Sequence, residues 1–310
     1  MFRKIGRAKS YIKYKYDVYS NKVKHSKILR SINNPIFVDG HPDSKNFGDA
    51  LNIFLVEFLS GKNVFPSKYI LKTKYSDDIS YSVIGSICQW TREKSVVWGS
   101  GFIQDSYSED SFVKPKRVTA VRGPLTREIY LKNGIECPGI YGDPALLLPL
   151  IYNPENIEAK YEFGIIPHYT EINLPWVKDV QNREDVLFID IMIGANYEKF
   201  VTEIKACKKI ITSSLHGLIF CHAYRIPVSH IKLSNQLTGG DFKFHDYLLS
   251  VNKTPHKPID ISNQLISIDH LDFDSEPIRF DIKPLINSCP FILDDIKNQL
   301  LNVSDYYENS

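Results

Sequence analysis

The chain has 310 residues, and its 43% hydrophobic and 24% charged residues are typical of a globular protein, not of a disordered or fibrous one. This length suits two domains of ordinary size. The five scattered cysteines form no CxxC pair, which favours reduced thiols and argues against a zinc site or a disulfide framework. Because no apolar run approaches ~20 residues and no signal-peptide core is present, we expect a cytoplasmic protein.

The net charge of +2 conceals a strongly basic beginning. Residues 1–30 hold ten Lys and Arg residues and one acid, Asp17, so this arm carries +9 and the other 280 residues carry −7. Four tyrosines lie in the same arm, and this composition suits an anionic membrane surface. A solvated basic tail explains it equally well. Nucleic acid is not an expected partner, because the body of the chain is acidic and no recognition motif follows.

Strands and helices alternate through the first half of the chain. An apolar run at 35–39 predicts a strand, and an amphipathic helix is expected from about Asp49 to Gly61. The next predicted elements are strands at 82–87, 95–99 and 117–122, and a helix at 125–133 that closes at Gly134.

A second series of the same kind follows a linker-like segment at 149–160. Its predicted elements are strands at 162–167, 185–190, 210–211 and 227–231, a helical stripe at 197–207, a helix beginning at Ser213, and a last helix at 290–303. Such alternation indicates an α/β fold with mainly parallel sheets.

We therefore expect two Rossmann-like domains in tandem. The predicted divisions are the basic arm at 1–30, an N-terminal domain at 31–152, a C-terminal domain at 153–285, and a C-terminal helical segment at 286–310 that could dock on the first domain. A ligand would bind in the interdomain cleft, at the carboxyl ends of the strands.

The most informative stretch is 210–220, where an apolar strand runs into a helix through Thr212, Ser213 and Ser214. Hydroxyls at the N-cap, free backbone N–H groups and the helix dipole make such a turn a site for phosphate or carboxylate. His216 in the first turn could exchange a proton with the ligand, as a histidine titrating near neutral pH can do. A buried structural histidine at an ordinary helix start is the alternative, and the turn alone favours it.

The segment 46–52 is a second candidate, between the first strand and its helix. Gly48 allows a tight turn and Asp49 can cap the helix. A cap followed by a satisfied amide explains Asp49 well. It explains Asn46 and Asn52 poorly, since two amides near one turn suggest a hydroxyl-rich ligand.

Three further candidates lie at predicted strand ends. Arg122 could bind a carboxylate or phosphate in bidentate fashion, or form a surface ion pair. Gly101 belongs to a glycine turn, which by itself is weak evidence for a phosphate loop. His168 lies just beyond a strand, where a packed or solvent-facing histidine is the simpler interpretation.

Taken together, these segments resemble the polysaccharide pyruvyl transferase family. The matching segments, in the family's order, are 46–52, 98–102, 121–124, 141–144, 165–169, 212–217, 223–227 and the Lys/Phe/Asp-rich element 243–247. They span roughly residues 36–250. The resemblance implies a two-domain fold similar to GT-B glycosyltransferases and phosphoenolpyruvate as co-substrate. It also implies transfer of a pyruvyl group onto two hydroxyls of one sugar, forming a cyclic ketal in the synthesis of a bacterial exopolysaccharide or capsule.

The resemblance also implies roles for individual residues. It places the donor site on Arg122, Ser214, Leu215 and His216. Because His216 and Arg122 come from different halves and each lies at the carboxyl end of a strand, we expect them to face each other across the cleft as the catalytic pair. Asp49 is a weaker candidate for activating an acceptor hydroxyl. The expected substrate-binding residues are Asn46, Gly48, Asp49, Asn52, Gly101, His168, Ser213, Ser214, Leu215 and Lys243.

One departure from the family concerns the positive charge of the donor site. Some relatives have an arginine where this chain has Ser214, so Arg122 or Lys243 would have to supply the missing cation. We expect no metal and no bound cofactor, because the matching segments hold no HxH, HExxH, DxD or paired-cysteine pattern. The expected acceptor is a sugar or a lipid-linked oligosaccharide, with residues 1–30 holding the protein at the inner face of the plasma membrane.

Two other classes of function stay open. A glycosyltransferase that uses a nucleotide sugar would share the fold and a basic arm. A non-catalytic carbohydrate-binding or assembly subunit would lack an accessible His216. A Ser-His hydrolase is disfavoured, since Ser213 and Ser214 lack the glycine-flanked elbow of an exposed nucleophile.

Overall fold

The computed structural model describes most of the chain. The described residues are 28–29, 31–70, 74–75, 77–262 and 266–308. The expectations for the basic arm at 1–30 therefore lie outside the described residues, apart from Ile28 and Leu29.

The first half of the chain forms a parallel sheet of five strands. They are β1 (Ile36–Val38), β2 (Val64–Pro66), β3 (Ser80–Ser82), β4 (Ser95–Trp98) and β5 (Arg117–Ala120), in the spatial order β2-β1-β3-β4-β5. Helix α1 (Phe47–Ser60) follows β1, and helix α2 (Pro124–Lys132) follows β5. A short helix α3 (Leu148–Ile151) leads to the second half.

The second half forms another parallel sheet of five strands. They are β6 (Tyr161–Ile166), β7 (Val186–Phe188), β8 (Cys207–Thr212), β9 (Val228–Lys232) and β10 (Ile259–Asp260), in the order β10-β9-β8-β6-β7. The helices are α4 (Pro175–Val180), α5 (Tyr197–Lys205), α6 (Leu215–Ala223), α7 (Phe242–Ser250), α8 (Lys283–Asn287) and α9 (Asp294–Asn302). The predicted α/β fold with two Rossmann-like sheets is confirmed. The likeness to GT-B glycosyltransferases and the domain boundary at 152–153 stay predictions.

Helix α1 shows how local sequence sets an element. Asn46 is its N-cap, and the Asn46 side-chain oxygen accepts a hydrogen bond from the Gly48 N–H at 3.1 Å. The helix ends at Gly61, whose φ of 64° is the left-handed conformation that glycine tolerates best. The expectation that Asp49 caps this helix is wrong. Asp49 instead lies in the first turn, where its charge complements the helix dipole.

Some predicted strand boundaries are also wrong. The strand expected at 82–87 ends at Ser82, because the chain turns at Gly85, where φ is 112°. The helical stripe expected to reach Cys207 stops at Lys205, and Cys207 opens β8. Strands β2 and β10 were not predicted, since runs of three and two residues carry no readable periodicity.

One apolar core runs between the two sheets and fixes them against each other. Phe47 at the start of α1 stacks on Phe200 of α5, with ring centroids 4.2 Å apart, and lies tilted against Phe220 of α6, with ring centroids 4.9 Å apart. Beside them, the Phe47 N–H donates to the Ile191 carbonyl at 2.7 Å. The beginning of α1 is therefore held rigidly against the second half of the chain.

The C-terminal segment packs back onto the first sheet. The Trp98 indole N–H donates to the Leu285 carbonyl at 2.9 Å, and the Leu293 N–H donates to the Leu59 carbonyl at 2.9 Å. Phe291 lies edge-on to Trp98 with ring centroids 5.5 Å apart. These contacts bury the segment before α9 against the first half of the chain.

Two further observations concern the described part of the chain. None of its helices is both long and apolar enough to cross a lipid bilayer. All five cysteines carry free thiols, and four of them are buried.

Candidate functional site

The turn from β8 into α6 is built by its own hydroxyl groups. The Thr212 hydroxyl donates to the Ile166 carbonyl at 2.8 Å and accepts from the Ser214 N–H at 3.0 Å. Ser214 is the N-cap of α6, and its Oγ accepts from the Gly217 N–H. A methyl group on the Gly217 Cα would lie 2.2 Å from the Thr212 hydroxyl oxygen, so only glycine fits there. The turn is rigid before any ligand binds.

Ser213 is held by a carboxylate that sequence reasoning missed. Its hydroxyl donates to Glu171 at 2.6 Å, and its Oγ accepts the His168 N–H at 2.9 Å. Glu171 is buried and also accepts from the Ser234 hydroxyl at 2.5 Å. These bonds tie the His168 loop to the Ser213 turn, so Ser213 acts within the protein as a positioning residue. A direct contact with substrate stays a prediction.

The His216 ring packs directly on the first turn of α1. A methyl group on the Gly48 Cα would lie 2.0 Å from the His216 Nδ1, so Gly48 makes room for the ring. The His216 Nε2 is buried and, within the described chain, has no hydrogen-bond partner. The contact between His216 and Gly48 thus joins the two halves of the molecule at one point, and the predicted approach of His216 to Arg122 across the cleft stays a prediction.

His216 is neutral in the unliganded protein at neutral pH. Burial, together with the positive charges of Lys243 and Arg122, lowers its pKa to about 3. The unliganded His216 therefore does not titrate near neutral pH, and its role as the acid and base stays a prediction. A bound anion would offset the same positive charges and raise the pKa again.

Lys243 on α7 is a buried cation without a hydrogen bond. Its side chain is only 7% exposed, and no described residue accepts a hydrogen bond from its Nζ. Burial, with Arg122 nearby, lowers the Lys243 pKa to about 8, and Glu171 partly opposes this. The amine is therefore mainly protonated at neutral pH, and it is free to bind an anion.

Arg122, in contrast, is committed to protein partners. Its fully buried guanidinium donates from Nε to Asp246 at 3.0 Å, from Nη1 to Ser86 Oγ at 2.7 Å, and from Nη2 to the Phe102 carbonyl at 2.7 Å. A methyl group on the Gly101 Cα would lie 2.4 Å from the guanidinium carbon, so Gly101 gives the Arg122 side chain its room. Arg122 thus forms an ion pair with Asp246, as the second interpretation of the sequence expected, but this pair is buried and not at the surface.

Asp246 is the partner that sequence reasoning missed. Besides Arg122, it accepts from the Thr126 N–H at 3.0 Å and from the Thr126 hydroxyl at 2.7 Å. Gly123 lets α7 approach closely, since a methyl group there would lie 1.9 Å from the Asp246 carbonyl oxygen. Asp246 therefore fastens α7, which carries Lys243, to the end of β5.

The amides of the segment 46–52 also have protein partners. The Asn52 amide nitrogen donates to the carbonyls of Asp49 and Ile84, and its oxygen accepts from the Ile84 N–H at 2.9 Å. Asn46 caps α1. The Asn52 amide is therefore fully hydrogen-bonded to the backbone, and it positions the turn after β3. A ligand contact by either amide stays a prediction.

Among the polar side chains of this segment, Asp49 has the weakest hydrogen bonding to other protein groups. Its one side-chain hydrogen bond within the described chain is a long one, from the Ser44 hydroxyl at 3.4 Å. Burial raises the Asp49 pKa to about 6, opposed by that bond. Asp49 directly follows Gly48, on which the His216 ring rests. The meeting point of the two halves thus offers a carboxyl, an imidazole and, on α7, an amine.

The described residues offer no cluster of side chains that could bind a metal ion. They contain no group of three or more His, Cys, Asp or Glu side chains arranged to hold a metal ion. The predicted independence from metal stays a prediction.

Comparison with known proteins finds one matching family model and two similar sequences. The family model described as polysaccharide pyruvyl transferase matches residues 46–235, which contain Gly48, Asp49, Arg122 and His216. The uncharacterized protein L143 of Acanthamoeba polyphaga mimivirus is 34% identical over 214 residues, which cover 66% of this chain and 70% of the relative. The succinoglycan biosynthesis protein ExoV of Rhizobium meliloti is 24% identical over 211 residues, which cover 67% of this chain and 62% of ExoV.

Proposed function

This chain belongs to the polysaccharide pyruvyl transferase family, and from that premise we propose that it transfers a pyruvyl group from phosphoenolpyruvate onto two hydroxyls of one sugar, closing a cyclic ketal. The family and the succinoglycan relative support a role in polysaccharide pyruvylation. The identity of the donor as phosphoenolpyruvate and the formation of a cyclic ketal are what we propose beyond this role.

The observation that carries the donor assignment is the combination of two uncommitted groups beside the α6 turn. The amine of the largely buried Lys243 side chain has no hydrogen-bond acceptor, and the buried His216 Nε2 has no partner, within the described chain. Phosphoenolpyruvate brings a phosphate and a carboxylate, and such anions are stabilised by a helix N-terminus and by a nearby ammonium group. Lys243 would then replace the cation that the family arginine supplies where this chain has Ser214.

The first step of the proposed reaction is protonation of the donor. Its negative charge, placed beside Lys243, favours the protonated form of His216. His216 delivers that proton to the methylene carbon of phosphoenolpyruvate, and positive charge develops on the neighbouring C2. A first sugar hydroxyl attacks C2. Asp49 accepts the proton of this hydroxyl, since a pKa of about 6 leaves Asp49 mainly ionised at neutral pH.

Closure of the ketal releases the phosphate and returns His216 and Asp49 to their starting states. The bond between C2 and the phosphate oxygen breaks, and the phosphate leaves with the electron pair. A second hydroxyl of the same sugar attacks C2 and gives its proton to neutral His216, which regenerates the acid. The proton held by Asp49 leaves with the phosphate. One phosphate is released and one methyl group is formed for each ketal.

The proposal is tested by incubating the purified protein with phosphoenolpyruvate and a panel of methyl glycosides that carry free 4- and 6-hydroxyls. We expect phosphate release that depends on the glycoside, and a product that contains the pyruvyl carbons. Parallel thermal-shift titrations compare phosphoenolpyruvate with nucleotide sugars. Stabilisation by nucleotide sugars alone, with no consumption of phosphoenolpyruvate, would contradict the proposal and favour a glycosyltransferase.

A further inference from the structure

Two exposed aromatic rings stand at the carboxyl edges of the two sheets. Among the described residues, eight large hydrophobic side chains are exposed, and two of these are aromatic, Trp90 at 51% and Tyr169 at 46%. Trp90 ends the short 3-10 turn Cys88–Trp90 in the connection after β3. Tyr169 lies three residues beyond the end of β6. Single exposed apolar residues need no explanation, but two aromatic rings at the edges that bear the site are a different case.

Each of the two rings is backed by a histidine. The His41 ring lies edge-on to Trp90, with centroids 5.2 Å apart and planes at 80°. The His168 ring lies 4.5 Å from the Tyr169 ring, tilted by 38°. The His168 backbone N–H donates to the Ser213 Oγ, and the ring Nδ1 hydrogen-bonds with the Thr170 hydroxyl at 2.8 Å, so both the loop and the ring are held. Such contacts orient an aromatic ring while leaving part of its surface open to a ligand.

A chain of contacts links each ring to the proposed reaction centre. Gln89, next to Trp90, donates to the Ser86 carbonyl at 2.7 Å, and the Ser86 hydroxyl accepts from Arg122. Gly85 lies beside Asp49, whose carboxyl oxygen would be 3.7 Å from a methyl group placed there. On the other side, Tyr169 adjoins His168, whose pKa burial and Lys243 lower to about 4. The rings therefore lie on the loops after β3 and β6, which contact the turns that carry Asp49 and His216.

We propose that Trp90 and Tyr169 form an aromatic platform for the acceptor saccharide. The pyranose to be modified stacks its C–H face on Trp90, which presents its diol toward Asp49, and an adjoining sugar residue contacts Tyr169. This inference rests on the proposed function, because it assigns the binding of that reaction's acceptor. A pyranose has an apolar face of C–H groups and a polar rim of hydroxyls. A rigid, exposed indole matches this face at little cost in side-chain entropy.

The first test is a fluorescence titration without donor. The chain has three tryptophans, and Trp98 and Trp176 are buried, so Trp90 reports most directly on a ligand at the surface. Methyl glycosides and disaccharides of glucose, galactose and mannose are the probes. We expect them to change the tryptophan emission, and we expect Trp90→Phe to remove that change.

The second test is kinetic. Trp90→Ala and Tyr169→Ala should each raise the KM for the acceptor about tenfold and leave the KM for phosphoenolpyruvate unchanged. Trp90→Phe should recover most of the loss, since it keeps an aromatic face. Leu249→Ala and Val303→Ala are the matched controls, because both remove exposed apolar side chains away from the two edges. These controls should behave like the parent protein.

The outcomes separate this inference from the proposed function. Pyruvyl transfer with an unchanged acceptor KM in both alanine variants would overturn the platform and leave the reaction intact. Absence of pyruvyl transfer on every glycoside would count against the reaction. The fluorescence titration alone would then decide the platform, and no response from Trp90 to any saccharide would overturn it.

Discussion

The two strand-to-helix turns of the site share a design but differ in what they leave free. The turn before α1 uses Asn46 as its cap, and the turn before α6 uses Ser214. The first presents Asp49 and the second presents His216. Burial raises the pKa of Asp49 to about 6 and lowers that of His216 to about 3, so each group is moved toward its neutral form. The contrast is that burial moves the pKa of Asp49 toward neutral pH and that of His216 away from it, so His216 needs the charge of the bound donor to act as an acid.

The turns also differ in their spare bonding capacity. Around α1 the amides of Asn46 and Asn52 are occupied by the backbone. Around α6 the His216 Nε2 and the neighbouring Lys243 amine lack partners in the described chain. We therefore expect substitutions at the second turn to affect chemistry most strongly, and several of those at the first turn to act through geometry.

The largest expected effect is that of His216→Ala. Loss of the proposed acid and base should lower kcat by about 10²–10⁴-fold, measured as phosphate release from phosphoenolpyruvate. Circular dichroism of the same preparation is the control for folding. Turnover close to that of the parent protein would remove His216 from the mechanism.

Gly48→Ala tests whether the two turns must touch. The added methyl group would lie 2.0 Å from the His216 Nδ1, so the ring must move. A displacement of this kind costs about 10²-fold in turnover when geometry controls catalysis. Gly139→Ala is the matched control, since its nearest contact is the Tyr141 hydroxyl at 3.9 Å. Equal activity of the two variants would show that the contact is dispensable.

Lys243→Met should move activity and stability in opposite directions. Loss of the cation should raise the KM for phosphoenolpyruvate about tenfold. The lowered pKa means that the folded state binds the proton of Lys243 less tightly than the unfolded state. Removal of the buried amine should therefore stabilise the protein by about 1–3 kcal/mol near neutral pH. Urea unfolding measures this, and Lys243→Arg, which keeps the charge, is the comparison. A destabilised Met variant with an unchanged donor KM would contradict the role of Lys243.

The effect expected for each single group is smallest in the response of stability to pH. The pKa values of His168, His216 and His230 are lowered to about 4, 3 and 3, each mainly by burial. Between the ordinary value of 6.5 and these lowered values, the unfolded chain binds more protons. Stability should therefore fall with pH below 6.5, by about 1 kcal/mol per histidine for the first unit.

Asp49 should act in the opposite sense over part of that range. Its raised pKa makes the folded state bind the proton more tightly than the unfolded chain does, so its contribution to stability increases as pH falls through about 6. Asp49→Asn should remove this contribution and steepen the loss measured by thermal unfolding between pH 7 and 5. An identical pH profile for parent and variant would argue against a perturbed Asp49.

Local patterns predicted α1, α6 and most strands, because caps, glycine stops and apolar spacing lie within a few residues of each other. The groups that hold the site were not predictable in the same way. Asp246 pairs with Arg122 across 124 positions of sequence, and Glu171 meets Ser213 across 42. Burial, which sets the pKa of His216, is equally non-local. The sequence thus identified the site residues by type and position. Only the structure shows that each nitrogen of the Arg122 guanidinium is hydrogen-bonded within the protein and that the Lys243 amine has no acceptor in the described chain.

The most direct test of the account follows the donor carbons through one reaction. Phosphoenolpyruvate labelled with ¹³C at C2 is incubated in D₂O with the protein and a methyl glycoside, and the products are followed by NMR. We expect a labelled ketal carbon bonded to two sugar oxygens, a neighbouring methyl group carrying deuterium, and one phosphate released per ketal. His216→Ala should give none of these products in the time that the parent protein needs to consume the donor. Label that stays in phosphoenolpyruvate or appears as free pyruvate, with no carbon bonded to the sugar, would contradict pyruvyl transfer at this site.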